Sequence, residues 1–193
     1  MKNKKTFFII ALVFVLLIGG ATVLYRQLGK NIAAEQLATQ STNQSDESAA
    51  GETEQKIKAP DFTVYDADGN EVHLADYIGK PIVLNFWASW CGPCQSEMPD
   101  FHEKYLELGD DVHFLMITKS DGARETVESA SAFIAKNGYA FPVFYDTKSD
   151  AASIYGAYSL PTTFFIDADG YAIAQATGAI DAETLQRGLD MIK

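Results

Sequence analysis

The chain has 193 residues, a net charge of −11 and two cysteines. From Ala59 onward it carries 8 Lys and Arg against 21 Asp and Glu, a net charge of −13. That balance excludes a nucleic-acid binder, because phosphate contacts need clustered Lys and Arg; the portion from Ala59, about 135 residues, suffices for one domain around one core.

The chain opens on "MKNKK", and Phe7–Tyr25 then runs without a charge. At about 1.5 Å per residue such a helix crosses about 30 Å of hydrocarbon. Lysines ahead of the span favour a cytoplasmic N-terminus, a bias that Arg26 and Lys30 weaken. The expectation is a signal-anchor over residues 1–30: a bacterial cell-membrane protein, single-pass, with everything downstream outside the cytoplasm. The competing reading is a cleaved signal peptide with an apolar core over Phe7–Ile18 and Gly19, Gly20 and Ala21 at the cleavage region. Both readings deliver the domain to the same side. No cysteine follows the apolar run to make a lipoprotein.

Residues 31–58 are rich in Gln, Ser, Thr, Ala and Glu and lack aromatics. They bury too little apolar surface to offset ordering entropy and read as a flexible polar linker. A weak helix over Asn31–Thr39 is compatible with the composition. The domain occupies 59–193. "FTVYDADGNEVHL" reads as a hairpin around Asp66–Asn70. "PIVLNFW" (81–87) is a strand buried on both faces. "PCQSEMPDFHEKYLEL" has helical spacing, with a kink expected at Pro99. A buried strand "VHFLMIT" (112–118), a helix over 123–138 ending at Gly138, a strand "PVFYD" (142–146) and a short helix over 151–158 follow. "TTFFIDADGYAIAQAT" (162–177) is a hairpin turning at Asp169–Gly170, and 181–193 is a last helix. Strands alternating with helices imply parallel crossovers and helices on both faces. The fold class is therefore an α/β three-layer sandwich with a mixed sheet and an added N-terminal β-hairpin. "DADG" (66–69, 167–170) reads as turn chemistry, and "TKSD" (118–121, 147–150) as a source of N-cap residues.

Cys91 and Cys94 stand in "NFWASWCGPCQSEMP". A structural zinc site wants four Cys or His ligands, and His73, His102 and His113 have no partner spacing to the pair; no metal and no cofactor is expected. A structural bridge between residues three apart removes little unfolded-state entropy. The redox reading fits better. The pair lies where a buried strand gives way to a helix, whose N-terminus stabilises a thiolate. Pro93 suits the first turn. Cys91 is then the exposed nucleophile and Cys94 the shielded resolving thiol.

"WASWCGPC" after a buried strand, with "YGAYSLPTTFFID" downstream, resembles the thioredoxin fold, and in detail the membrane-tethered TlpA/ResA-like thiol–disulfide oxidoreductases. The resemblance covers about 59–193. Cys91, Cys94 and Glu97 are spaced by three and share a helix face. A carboxylate shielded there by Met98 and Trp87 has a raised pKa and can exchange a proton with Cys94; the plain alternative is an acid in the first helical turns. The family has an active-site glutamate at the position of Glu97. Where thioredoxin carries a buried aspartate this chain has Asn85, which leaves Glu97 as the available proton acceptor. Pro161 matches the family's cis-proline facing the cysteines. That geometry implies that the Leu160 backbone pairs with a substrate segment. Trp90 is either an apolar contact surface beside Cys91 or simple packing.

The resemblance implies a monomeric enzyme acting on disulfide-bearing proteins. Gly92–Pro93 resembles the dipeptide of reducing thioredoxins, so a reductant is expected, with an oxidant of the same fold as the alternative. A reductant outside the cytoplasm needs a DsbD/CcdA-like membrane electron donor. Family substrates include apocytochromes c, spore-envelope proteins and oxidised surface enzymes. A peroxidase is disfavoured, since "ASWCGPC" lacks the Pro and Thr that precede a single peroxidatic cysteine. A metal-binding chaperone is the rival of another class.

Overall fold

The computed structural model describes residues 37–39 and 56–193. The expected membrane span and most of the expected linker lie outside these residues. Among the described residues no helix is long and apolar enough to cross a membrane.

The described strands are β1 (Ala38–Thr39), β2 (Ile57–Lys58), β3 (Thr63–Tyr65), β4 (Glu71–His73), β5 (Ile82–Trp87), β6 (His113–Thr118), β7 (Val143–Tyr145), β8 (Thr162–Ile166) and β9 (Tyr171–Thr177). The helices are α1 (Gly92–Leu108), α2 (Val127–Asn137), α3 (Asp150–Ile154) and α4 (Ala182–Ile192). All the strands join one sheet, in the order β1-β9-β8-β5-β6-β7-β3-β4, with β2 also on β9. Strands β5, β6 and β7 are parallel, and the other pairings are antiparallel.

Every residue of β5 is buried, as a run apolar at every position but Asn85 requires of a central strand. Side-chain alternation divides the interior into two cores. Val83, Trp87, Phe114, Met116 and Phe165 pack with Met98 and Phe101 of α1, Ala130 of α2, and Leu185 and Leu189 of α4. Leu84, Phe86, Leu115, Ile117 and Phe164 pack on the other side with Ala151 and Ala152 of α3 and with Phe62 and Leu74. Helices therefore cover both sheet faces. Helix α4 lies hard against β8: a Cβ placed on Gly188 would come within 2.2 Å of the Phe165 ring.

Helix α1 continues through Pro99 as one element. Helix α2 ends at Gly138, φ 69°, as expected, but begins at Val127 rather than near Ala123. The reason is Asp121, whose Oδ1 accepts from the N–H groups of Ala123, Arg124 and Glu125 at 3.0, 2.9 and 3.3 Å. That side chain offers the backbone an alternative to a helical turn. Thr126 then caps α2, accepting from the Ser129 N–H at 3.1 Å. Neither "TKSD" copy caps a helix by its side chain. Asp146, ahead of the second copy, accepts from the N–H groups of Asp150 and Ala152 at 2.8 Å each. Both "DADG" copies are turns. Asp66 and Asp167 receive backbone N–H groups, and Gly69 and Gly170 take φ of 84° and 81°.

The sheet also reaches into the stretch expected to be linker. Ala38–Thr39, expected at the end of a weak helix, is a strand facing Gln175 and Ala174 of β9. Ile57–Lys58 faces Ala172 and Tyr171. Lys56 pairs with Asp167 at 2.9 Å, and the Lys58 ammonium lies 4.5 Å from the Tyr171 ring centroid. Edge pairing uses backbone groups, which a polar composition does not forbid.

Candidate active site

Beyond β5 the chain turns through Ala88–Trp90 into α1. Cys91 is the N-cap of that helix, and its Sγ accepts from the Cys94 N–H at 3.2 Å. Pro93 lies in the first turn, where a missing N–H costs nothing. Cys91 and Cys94 form a disulfide with sulfurs 2.11 Å apart. Cys94 is fully buried and Cys91 is 5% exposed. In the reduced pair, the helix N-terminus favours negative charge on Cys91.

Cys91 opens on a cleft of about 440 Å³ whose walls include Trp90, Lys119, Arg124, Tyr158 and Leu160. Tyr158 is exposed, Trp90 is 40% exposed, and the Arg124 guanidinium carbon lies 3.5 Å from the Trp90 ring centroid. The Leu160–Pro161 peptide bond is cis. Leu160 lines the cleft, whereas Pro161 is buried and does not.

Beneath the disulfide lies a buried polar unit. Glu97, one turn beyond Cys94 on α1, is 1% exposed. Its Oε1 accepts from Asn85 Nδ2 at 2.9 Å and its Oε2 from the Ile180 N–H at 3.0 Å. Asn85 Nδ2 also donates to Thr163 Oγ1 at 3.0 Å, across the β5–β8 pair that sets these residues opposite each other. Burial pushes the Glu97 carboxyl up to about 7, with a small further push from Asp100; the Ile180 and Asn85 hydrogen bonds pull the other way without cancelling it. Met98 and Trp87 are buried in the same core as both cysteines, as the shielding argument required. Glu97 is therefore a carboxyl able to hold or release a proton near neutral pH.

The expected residues thus fall into two groups: Cys94, Glu97 and Asn85 buried in the interior, and Cys91, Trp90 and Leu160 at the cleft. The histidines are scattered. His102 packs against Tyr139 and Phe141, His113 against Tyr77, and His73 lies 3.4 Å from Thr63 Oγ1. Sequence reasoning missed Thr163, Ile180 and above all Glu125. That carboxylate is buried; it accepts from the Ser89 hydroxyl at 3.0 Å and also from the Ser89 N–H and the Ser129 hydroxyl. It ties the turn before Cys91 to the loop before α2. Only Thr163 had a legible signal, since an antiparallel neighbour of "PIVLNFW" with the right register sets a hydroxyl opposite Asn85.

Known proteins resemble this chain in sequence and fold. The model of the AhpC/TSA family matches residues 56–174. The thiol–disulfide oxidoreductase ResA of Geobacillus thermodenitrificans is 36% identical over 136 residues, covering 70% of this chain and 76% of that protein. Among solved structures, a thiol:disulfide interchange protein of the thioredoxin family from Chlorobium tepidum superposes with a TM-score of 0.62 at 25% identity, over 75% of this chain and 99% of the other. StoA from Bacillus subtilis gives 0.58 at 25% identity, over 67% and 96%. A helix-capping cysteine pair on this sheet, together with these likenesses, settles the family: the chain belongs to the AhpC/TSA family and is a ResA-like thiol–disulfide oxidoreductase of the thioredoxin superfamily.

Proposed function

We propose that this oxidoreductase is a membrane-anchored reductant of protein disulfides, working outside the cytoplasm as a monomer. The observation that carries the chemistry is the asymmetry of the pair: Cys91 meets the cleft at a helix N-terminus, and Cys94 is shut away one turn inside. In the reduced enzyme the Cys91 thiolate attacks one sulfur of a substrate disulfide. That bond breaks, the first substrate thiolate leaves and takes a proton, and a mixed disulfide remains. Cys94 then loses its proton and attacks Cys91 Sγ, which releases the second substrate thiolate. Two electrons pass to the substrate and the Cys91–Cys94 bond forms. Glu97 is the buried group available to take the Cys94 proton, given its carboxyl near 7. Leu160, whose backbone makes no hydrogen bond among the described residues, is the segment against which a substrate strand lies, with Pro161 fixing the turn and Trp90 supplying apolar contact.

A DsbD/CcdA-like membrane protein returns the electrons, and the apolar run Phe7–Tyr25 is the segment that would hold the domain at the membrane. Apocytochromes c awaiting haem are candidate substrates within this reading. Gly92–Pro93, which resembles the dipeptide of reducing thioredoxins, supports reductant over oxidant. The potential is therefore expected nearer that of thioredoxin, about −270 mV, than that of DsbA, about −120 mV. Equilibration with glutathione measures it. Turnover is the direct test: reduction of insulin, followed by turbidity, should proceed with the wild type and vanish in Cys91→Ser. Equal rates would end the proposal.

A further inference from the structure

The cleft beside Cys91 contains two of the eight Lys and Arg of the domain, Lys119 and Arg124. In a domain with 21 carboxylates, neither takes part in a salt bridge among the described residues. Asp121 also lines the cleft; its Oδ1 is committed to three backbone N–H groups, and its charge is partly met by Lys119, which leaves Arg124 as the main cation open to a partner. Arg124 is held in place. Its backbone N–H is one of those three, the next residue is Glu125, clamped to Ser89, and its guanidinium lies face-on to Trp90. Stacking uses only the face of a guanidinium. Its N–H donors lie in the plane and stay free for a carboxylate. The ring also limits the rotamer freedom that Arg124 would lose on binding.

We propose that Lys119 and Arg124 make this cleft selective for polypeptides in which Asp or Glu flanks the target cysteine. The flanking carboxylate docks on the free edge of Arg124, with Lys119 adding charge, while Tyr158 and Trp90 take neighbouring apolar side chains. The selection acts at contact range, since the net charge of the domain repels acidic partners at longer distance. As a choice among substrates, it rests on the reading of Cys91 as the attacking thiol.

The test uses the full-length chain in detergent and two synthetic disulfide peptides that differ only in Asp or Lys beside the cysteine. Wild type should reduce the Asp peptide about fivefold faster by kcat/KM, and 0.5 M salt should erase most of the preference. The Lys119→Glu, Arg124→Glu double variant should reverse it. Equal handling of the peptides by wild type overturns the proposal. So does an equal drop on both peptides in the double variant, which would mean that the cations only acidify the Cys91 thiol. Serine-for-cysteine versions of the peptides, titrated onto the oxidised chain, separate the two readings. A preserved binding preference without turnover would sink the reductase reading and leave the carboxylate site standing; equal binding would sink the site.

Discussion

Asn85 spends both hydrogens of its side-chain amide, one on Glu97 and one on Thr163, while its buried Oδ1 has no hydrogen-bond partner among the described residues. An amide so placed suits an acceptor at Glu97, yet burial raises that carboxyl to about 7 from an ordinary 4.5. The sign of the resulting linkage is fixed. Below about pH 4.5 both the folded and unfolded chains hold the proton, and the native state has its full advantage. As pH rises toward and past 7 the unfolded chain ionises first, and stability falls. At about 1.4 kcal/mol per pKa unit the loss approaches about 3 kcal/mol. Glu97→Gln removes that slope, although its NH2 then faces either the Asn85 amide NH2 or the Ile180 N–H and so costs stability at every pH. Urea denaturation of the oxidised proteins at pH 5 and pH 8 measures this. The gap between wild type and variant should narrow at pH 8 by up to about 3 kcal/mol, and a gap independent of pH would rule out the raised carboxyl. Glu97 itself was legible, because its spacing from Cys94 puts both on one helix face. Its anchor at Ile180 was not, since a backbone N–H donor 83 positions away leaves no mark in composition.

The elements that read well are those whose side chains decide them. Strand β5 is central and apolar at every position but Asn85, and Gly170 sits where a hairpin turn needs positive φ. The start of α2 read badly because Asp121 gathers the preceding N–H groups, a local competition that helical spacing does not register. Glu125 was obscure for a related reason: an acid before a helix looks like a solvated residue, and here it is buried against Ser89 and Ser129. Helix α4 supplies a sharper case. By propensity, Gly188→Ala should stabilise a helix by up to about 1 kcal/mol. The added methyl would instead meet the Phe165 ring at 2.2 Å in a core without slack. Overpacking of this kind costs about 1–3 kcal/mol, so the net expectation is destabilisation, read as a fall in the thermal midpoint. A rise would show that α4 can lift off β8 freely.

At the scale of the whole molecule, composition put the domain boundary at Ala59, and the hydrogen bonds put it earlier. Strands β1 and β2 lie end to end along β9, on either side of the stretch 40–55. What they cover is "YAIAQA", a run with neither charge nor proline. These few residues, Ala38, Thr39, Ile57 and Lys58, therefore act as a guard rail on the sheet. A soluble fragment cut at the apparent boundary keeps the cysteines and the cleft, and loses the guard together with Leu37, which packs on the core. Sedimentation should find a fragment beginning at Gln36 monomeric and one beginning at Ala59 self-associating through β9; identical behaviour would deny the strands this role. A stretch that contributes nothing to the chemistry would then decide whether the enzyme stays a single molecule in solution.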